Sequence, residues 1–471
     1  MLWRACLWLL AAWVAGQAAR TPISLIITHG TVVTMNPSGL IVADGAVAID
    51  GRDIAAVGTA GELAAKFDAK DTIDARGQVV LPGLINTHTH APMVLYRGLA
   101  DDIALMEWLQ KYIFPAEAKT VSPEFVRVGT RLAVLEMIRS GTSAYADMYY
   151  FEEEIARATR EAGLRGVLGQ TIIRFPVADA KTPAQGLERA RAFVKQFAGD
   201  ELITPAIAPH AMYTLDTDTL QAIKRAAARD GAPLIIHLAE TRDEIEIARK
   251  QYKSTPVQYL DSIGFWASSG TRTPRRPGPR TLAAHAVHVS PADIRILASR
   301  GIGVSHNPES NMKLASGTAP VPRMRTAGIA VGLGTDGAAS NNDLDMFEAM
   351  RQAAFLHKLQ SGDPRVLPAR TVLEMATIEG ARALGLDGIT GSLEPGKRAD
   401  VIVVAMASAR QTPVYDPVSH LVYTTRGDDV QTTIVNGRVL MRDRKVLTLD
   451  EPAVLAAAVR QAALVRAAVG K

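Results

Sequence analysis

The middle of the chain alternates short, continuous apolar runs with stretches of helical periodicity such as PEFVRVGTRLAVLEMIRS. Runs that are apolar throughout suit strands that are buried on both faces by covering helices. The alternation therefore favours a closed (β/α)8 TIM barrel over an open doubly wound sheet, and it places the barrel at residues 81–388. The eight predicted strands lie in residues 80–90, 142–148, 166–173, 203–210, 233–240, 281–287, 301–308 and 329–337.

Both ends of the chain show a different pattern, in which β-branched runs are separated by Gly and Asp at the spacing of antiparallel strands. This pattern covers residues 20–80 and returns over residues 389–450, for example in TTIVNGRVLMRDRKVLTL. We therefore expect the two ends to build one small β-sandwich domain into which the barrel is inserted. Residues 451–471 are predicted to form a C-terminal helix.

Two segments stand outside this organisation. The apolar run Leu2–Gly16 ends in small residues, which predicts a secretory signal peptide over residues 1–19, cleaved near Ala18 or Ala19. The mature protein would then be exported to the periplasm without a stable membrane span. An uncleaved anchor or a misassigned start codon are the alternatives, and without a true signal the protein would be cytoplasmic. Residues 267–280, rich in Gly, Pro and Arg, predict an exposed loop without a chemical role.

Composition and charge narrow the chemistry. With 48% hydrophobic and 21% charged residues, the chain has the material for a large core and is not disordered. Lys and Arg (52) exceed Asp and Glu (48) by only four, which forms no basic stripe and argues against a nucleic-acid partner. The single cysteine, Cys6, excludes a disulfide and a thiolate cage, so a bound metal would need histidines and carboxylates.

The polar residues that matter stand where predicted strands end. Six of the ten histidines are at such positions, and the eighth strand ends in Asp336. Because barrel enzymes carry their chemistry at the carboxyl ends of the strands, these side chains should converge on one cavity. The six histidines are His88, His90, His210, His237, His285 and His306.

The pair His88 and His90 alternates along an extended segment, so both imidazoles point to the same side and suit one metal ion. With His237 and Asp336 they form a set suited to a single divalent ion, first Zn2+, and by ligand softness also Fe2+, Mn2+ or Ni2+. An ion with an open position lowers the pKa of bound water to about 7, which suits hydrolysis. The alternative is a group of structural histidines, which carries more weight for His306 taken alone.

Glu240 follows His237 by three residues, in HLAE, at the point where the strand turns into a helix. Its carboxylate can therefore face the same cavity and move protons between water and leaving group. The alternative is that Glu240 only serves the first turn of the helix. His285 is expected to contact the water or the substrate.

Several of these motifs resemble a known family. VLPGLINTHTH, HLAE and GLGTDG resemble the amidohydrolase superfamily, and the split sandwich around a barrel resembles its cytosine-deaminase-like branch. WLQKYIFPAEAK, APHAMYTL and VSHNPESNMKLASG are similar to the S-adenosylhomocysteine and 5′-methylthioadenosine deaminase group. The resemblance covers nearly all of the chain after Thr21.

The resemblance implies a role for individual residues. One divalent metal would be bound by His88, His90, His237 and Asp336, because His210 stands where two-metal members carry a carboxylated lysine. Glu240 would be the proton shuttle, with Asp336 and His285 also catalytic. The implied substrate contacts are Glu117, which would bind ribose hydroxyls, His210 and Glu240. From the residues alone, Arg174, beyond the third strand, is a candidate partner for a substrate carboxylate or ring, and an ordinary surface arginine is the alternative.

The activity implied is hydrolytic deamination of an adenosine derivative to the inosine analogue and ammonia. The candidate substrates are 5′-methylthioadenosine, S-adenosylhomocysteine, adenosine and 5′-deoxyadenosine. The same scaffold also carries chlorotriazine chlorohydrolases and guanine, pterin and cytosine deaminases, and these remain alternatives. A non-catalytic, exported nucleoside-binding protein is an alternative of another class. The partner is a small molecule in each case, with a homo-oligomer left open.

Overall fold

The computed structural model describes residues 19–266 and 280–470. The predicted signal peptide lies outside the described residues except for its last position. The predicted loop at 267–280 also lies outside them, except for Arg280.

The N-terminal part forms five strands that belong to a mixed sheet. β1 pairs antiparallel with β2, while β4 and β5 both pair with β1 in parallel, β4 along its first half and β5 at its end. The strands are β1 (Thr21–Val33), β2 (Ile41–Asp50), β3 (Asp53–Thr59), β4 (Phe67–Asp74) and β5 (Gln78–Pro82).

Eight parallel strands follow and form the predicted barrel, hydrogen-bonded in chain order from first to last. The barrel closes where the backbone N–H of Asp336 donates to the carbonyl of His88 at 2.9 Å. Every residue in most of these strands is buried, which explains their apolar runs. The strands are β6 (Leu84–Thr89), β7 (Thr142–Tyr149), β8 (Arg165–Ile172), β9 (Ile203–Pro209), β10 (Leu234–Leu238), β11 (Thr281–His285), β12 (Gly303–His306) and β13 (Val331–Leu333).

The first predicted strand, 80–90, is divided between the two domains. The chain passes from β5 to β6 at Gly83, where a Cβ atom would lie 2.3 Å from the side chain of Ser143. Only glycine fits this crossing.

The C-terminal strands complete the mixed sheet. β14 pairs antiparallel with β5, so the two chain ends share nine strands in the order β17-β16-β15-β14-β5-β1-β2-β3, with β4 on β1. Side chains from both ends pack into one apolar cluster that includes Ile27, Val47, Val80 and Val403, which confirms the inserted barrel. The strands are β14 (Val401–Ala405), β15 (Val430–Val435), β16 (Arg438–Arg442) and β17 (Lys445–Val446).

Helices cover the barrel, and most of the longer ones begin at a polar cap residue. Ser122 and Thr182 are two such caps, and the hydroxyl of each accepts a backbone N–H of the first turn. A π-helical turn, Trp108–Ile113, joins α2 to α3. The helices are α1 (Ala60–Lys66), α2 (Leu105–Glu107), α3 (Phe114–Thr120), α4 (Pro123–Arg139), α5 (Glu152–Ala162), α6 (Pro183–Gln196), α7 (Thr217–Asp230), α8 (Arg242–Tyr252), α9 (Pro256–Ser262), α10 (Pro291–Ser299), α11 (Pro308–Lys313), α12 (Val321–Thr326), α13 (Met346–Ser361), α14 (Ala369–Met375), α15 (Ile378–Leu384), α16 (Pro417–Tyr423) and α17 (Glu451–Val469).

The last helix, α17, is attached to the barrel near both of its ends. Glu451 pairs with Arg139 at 3.0 Å, and Lys119 donates to the carbonyl of Ala468 at 3.2 Å. Of the described helices, α17 alone has the length and apolar composition that a membrane crossing requires.

Candidate active site

Three predicted ligands meet at the carboxyl end of the barrel around Asp336. The Nε2 atoms of His88 and His90 lie 3.4 and 3.3 Å from Oδ1 of Asp336. His237 joins them, with its Nε2 3.4 Å from Nε2 of His90. The structure thus brings together all four residues that the sequence assigned to the metal.

This cluster fits a metal ion. Both ring nitrogens of His88 and the Oδ1 atom of Asp336 are buried and make no hydrogen bond. Ligand separations of 3.3–3.4 Å match the edge of a tetrahedron whose metal bonds are about 2.0–2.1 Å long. A shared cation would satisfy the Nε2 atom of His88 and the Oδ1 atom of Asp336.

Neighbouring groups orient the ligands. The Nδ1 atom of His90 lies 2.7 Å from the carbonyl of Met148, and that of His237 lies 2.9 Å from the carbonyl of His210. Because a carbonyl only accepts, each Nδ1 carries the proton and each Nε2 is left as a lone-pair donor to an ion. The hydroxyls of Ser310 and Ser340 donate to Oδ2 of Asp336 at 2.7 and 3.0 Å, which leaves Oδ1 available for an ion.

Burial and charge set the protonation of the cluster. Burial lowers the pKa of His88 to about 4, so its ring is neutral at pH 7. Burial alone would raise the pKa of Asp336, but the imidazoles of His88 and His90 beside its Oδ1 atom hold that pKa well below its usual range. For His90 burial is outweighed by Asp336, which raises the pKa to about 9. At this pKa the Nε2 atom of His90 also carries a proton at pH 7, and a cation bound by the four residues would displace that proton.

β7 positions the segment that carries the predicted metal ligands His88 and His90. Asp147 is fully buried and accepts hydrogen bonds from the backbone N–H of Ala91 at 2.6 Å and the hydroxyl of Thr89 at 2.7 Å. The hydrogen bond between His90 and the carbonyl of Met148 adds a third contact, so β7 orients the three consecutive residues Thr89, His90 and Ala91. Asp147 was missed in the sequence, although a carboxylate inside an apolar strand was a usable sign.

We expect Asp147→Ala to weaken metal binding by about 10–100-fold, the usual cost of removing a group that orients a ligand. Asp147→Asn keeps an oxygen acceptor of the same shape and should recover most of the affinity. Zinc titration against a chromophoric chelator measures both variants. Wild-type affinity in the alanine variant would refute this role for Asp147.

Glu240 and His285 face each other beside the cluster. Oε1 of Glu240 lies 3.7 Å from Nδ1 of His285, and burial raises the pKa of Glu240. Thr241 caps α8, and its hydroxyl accepts from the N–H of Glu244. Thr241 and Glu244 therefore cap the start of α8, and the side chain of Glu240 lines the cavity.

Three of these strand ends have a left-handed backbone. The φ angles are +49° at Ala239, +69° at His285 and +62° at Asp336. Such conformations cost free energy in residues other than glycine, and they concentrate at functional sites.

Two other residues that were predicted to contact the substrate lie in the cavity. Glu117 and His210 both line the cavity, which has a volume of about 660 Å³ including its mouth. Tyr149 donates a hydrogen bond of 2.7 Å to Oε1 of Glu117, and burial raises the pKa of this carboxyl to about 7. Burial lowers the pKa of His210 to about 3, so its ring is neutral.

The structure does not bring Arg174 into the cavity. β8 ends at Ile172, and the backbone N–H of Arg174 donates to the carbonyl of Thr214, which leaves the side chain exposed outside the cavity lining. His306 also stands apart, since its Nε2 lies 3.1 Å from Nε2 of His357.

Comparison with known proteins identifies the family and agrees with the fold. Residues 79–440 match the amidohydrolase family. A 5-methylthioadenosine/S-adenosylhomocysteine deaminase of Syntrophobacter fumaroxidans is 48% identical over 90% of this chain and 94% of its own length. The chain belongs to the amidohydrolase family.

Two further relatives extend the comparison. A 5′-deoxyadenosine deaminase of Methanosarcina mazei is 46% identical over 92% of this chain and 96% of its own length. A crystal structure of an adenosine deaminase from Xanthomonas campestris with bound zinc superimposes with a TM-score of 0.91 at 36% identity, covering 95% of this chain and all of that one.

Proposed function

We propose that the chain is a metal-dependent hydrolytic deaminase of adenosine derivatives that releases ammonia and the inosine analogue. One observation carries the proposal: a single cavity holds the His/Asp cluster, the carboxyl of Glu240 and the carboxyl of Glu117. The names of the relatives support the same activity.

The ion would be held by His88, His90, His237 and Asp336. Zn2+ is the first candidate because imidazole and carboxylate ligands suit it and because the Xanthomonas campestris structure contains it. When bound, such an ion acts as a Lewis acid that makes water acidic enough to attack at neutral pH.

The protein side chains supply the proton transfers. Glu240, kept protonated more readily by its burial, donates to a ring nitrogen and so makes the amino-bearing carbon more electrophilic. Asp336 takes a proton from the attacking water and passes it to the amino group. The C–N bond then breaks, ammonia leaves, and the new hydroxyl returns a proton to Glu240. Asn311 accepts a hydrogen bond from Nδ1 of His285 at 2.9 Å, so Nε2 is left to contact the reacting oxygen.

Glu117 would bind the ribose hydroxyls in this proposal. Its Oε1 atom already accepts from Tyr149, and Oε2 is left to accept from the substrate. A carboxylate with a pKa of about 7 is ionised above that pH and then makes charge-assisted hydrogen bonds.

We expect Glu117→Gln to raise KM by roughly 10–100-fold, the value of a hydrogen bond to a charged group, with a smaller effect on kcat. In the wild type, kcat/KM should fall as pH drops below about 7, because protonation of Glu117 removes its charge. This acidic limb should disappear in the glutamine variant. Steady-state kinetics from pH 5 to 9 measure it, with Glu124→Gln on the exposed face of α4 as control. An unchanged limb would contradict the role.

A substrate panel tests the proposed function. It contains 5′-methylthioadenosine, S-adenosylhomocysteine, adenosine, 5′-deoxyadenosine, guanine, a pterin, cytosine and a chlorotriazine, with ammonia and chloride measured before and after chelation. Chelator-sensitive ammonia release from adenosine derivatives supports the proposal. Chloride release would indicate the chlorohydrolase instead, and binding without turnover would indicate the nucleoside-binding protein.

We also propose that the protein is exported through its apolar N-terminal segment. Intact-mass measurement after expression in a bacterial host, with separate periplasmic and cytoplasmic fractions, tests this. A full-length mass confined to the cytoplasm would contradict it.

A further inference from the structure

The outer surface of the last helix, α17, is apolar. The buried residues of this helix, on the side that packs against the protein, are Val454, Ala458 and Val465. Large apolar side chains also lie on the outer side, where 46% of Leu455, 71% of Val459 and 62% of Leu464 is exposed. A surface helix of a soluble protein normally presents polar side chains to water. We therefore expect another apolar surface to cover the outer side of α17.

The charges on α17 beyond its first residue are all positive. Glu451 is paired with Arg139 at 3.0 Å, and residues 452–471 contain no Asp or Glu. Arg460 and Arg466 are exposed, and neither makes an ion pair within the part of the chain that the structure describes. At about 100° per residue, the two arginines lie about 120° apart around the helix axis with Val459 between them.

The attachment of α17 to the barrel fixes how it could meet a membrane. The ion pair with Arg139 holds its first turn, and the hydrogen bond from Lys119 to the carbonyl of Ala468 holds its last turn. Between these points the helix packs against α3 and α4. In this arrangement α17 cannot cross a bilayer, but its outer side can lie on a bilayer surface.

A second copy of the chain fits this surface less well than a bilayer does. A two-fold contact brings the same residues of both copies together, so Arg460 and Arg466 would meet their own copies. α17 offers no free carboxylate to pair with them, and like charges in an interface are unfavourable. An anionic bilayer supplies both the opposite charge and an apolar interior.

We propose that the outer surface of α17 binds peripherally to an anionic phospholipid bilayer. Leu455, Val459 and Leu464 enter the boundary between headgroups and acyl chains. Arg460 and Arg466 extend sideways from this apolar strip and pair with lipid phosphates. The surface is separate from the cavity that holds the His/Asp cluster, so the inference does not depend on the proposed function.

A fluorescent reporter on the helix tests this binding. The variant Cys6→Ser/Ala463→Cys has one thiol, on the outer side of α17, which is labelled with the polarity-sensitive dye NBD. Full-length, zinc-loaded protein is titrated with phosphatidylcholine vesicles that contain or lack phosphatidylglycerol. We expect a blue shift, and an affinity at least about 10-fold higher for the anionic vesicles. Because the dye reports on α17 itself, binding through the apolar N-terminal segment alone would leave the spectrum unchanged.

The other outcomes of this titration overturn the inference. They are an unchanged spectrum, equal affinity for both kinds of vesicle, and a blue shift that grows with protein concentration without lipid, which would indicate a second copy. The control label is Cys6→Ser/Ala228→Cys, on an exposed position of α7, and its spectrum should not change. An equal shift at this position would show non-specific adsorption and would also overturn the inference.

A matched pair of variants tests the role of charge in the labelled protein. Arg460→Gln/Arg466→Gln should weaken binding to anionic vesicles by about 10–30-fold, whereas Arg460→Lys/Arg466→Lys should retain most of it. The control Arg225→Gln/Arg249→Gln removes two exposed arginines from α7 and α8 and should bind like the parent. Equal losses in the control and in the α17 glutamine variant would contradict a specific role for this helix.

Discussion

Glu240→Gln is expected to lower kcat by about 10²–10⁴-fold while the metal stays bound. The amide has the size of the carboxyl but cannot give up a proton to the ring nitrogen and take one back. None of the close contacts among the four metal ligands involves Glu240, whose Oε1 atom lies 3.7 Å from Nδ1 of His285. The loss should therefore appear in the chemical step and not in metal content.

The measurement combines steady-state kinetics with metal analysis of the same preparation. Glu246→Gln, on the exposed side of α8, is the matched control and should retain wild-type turnover. Normal kcat in Glu240→Gln would disprove the proton shuttle. Lost zinc would instead show that Glu240 acts through the metal site.

Removal of the metal should abolish turnover and destabilise the fold. Without an ion, the Nε2 atom of His88 and the Oδ1 atom of Asp336 are buried without hydrogen bonds, which is costly. A ligand bound only by the folded state stabilises it by about 4 kcal/mol when its free concentration is about 1,000 times Kd.

Differential scanning calorimetry with and without chelator measures this effect, and added zinc should restore both the Tm and the activity. Asp336→Ala is the matched control, since it lacks a ligand and its Tm should hardly respond to chelator. An identical Tm for metal-free and metal-loaded wild type would contradict a metal held by these four residues.

The barrel and its metal ligands could be predicted because they leave strong local signs. Strands buried on both faces produce continuous apolar runs, and a polar residue such as His237 or Asp336 at the end of such a run has few structural explanations. The split of residues 80–90 left no such sign, because it depends on how Gly83 packs against Ser143 across the two domains.

The direction of Arg174 and the composition of the cavity wall could not be predicted from sequence. The backbone N–H of Arg174 donates to the carbonyl of Thr214 in another loop, and the side chain of Arg174 is exposed. Leu105 and Trp108 resemble ordinary core residues, and only their tertiary position makes them part of the cavity. Tyr149 was missed for the same reason, since its hydrogen bond to Glu117 joins β7 to α3.

The most direct test of the central claim is the reaction of zinc-loaded protein with 5′-methylthioadenosine in water enriched in ¹⁸O. We predict one ammonia for each nucleoside consumed and an inosine analogue that carries one solvent oxygen at the former amino position. Consumption without ammonia, or a product without the label, would contradict hydrolytic deamination at this site.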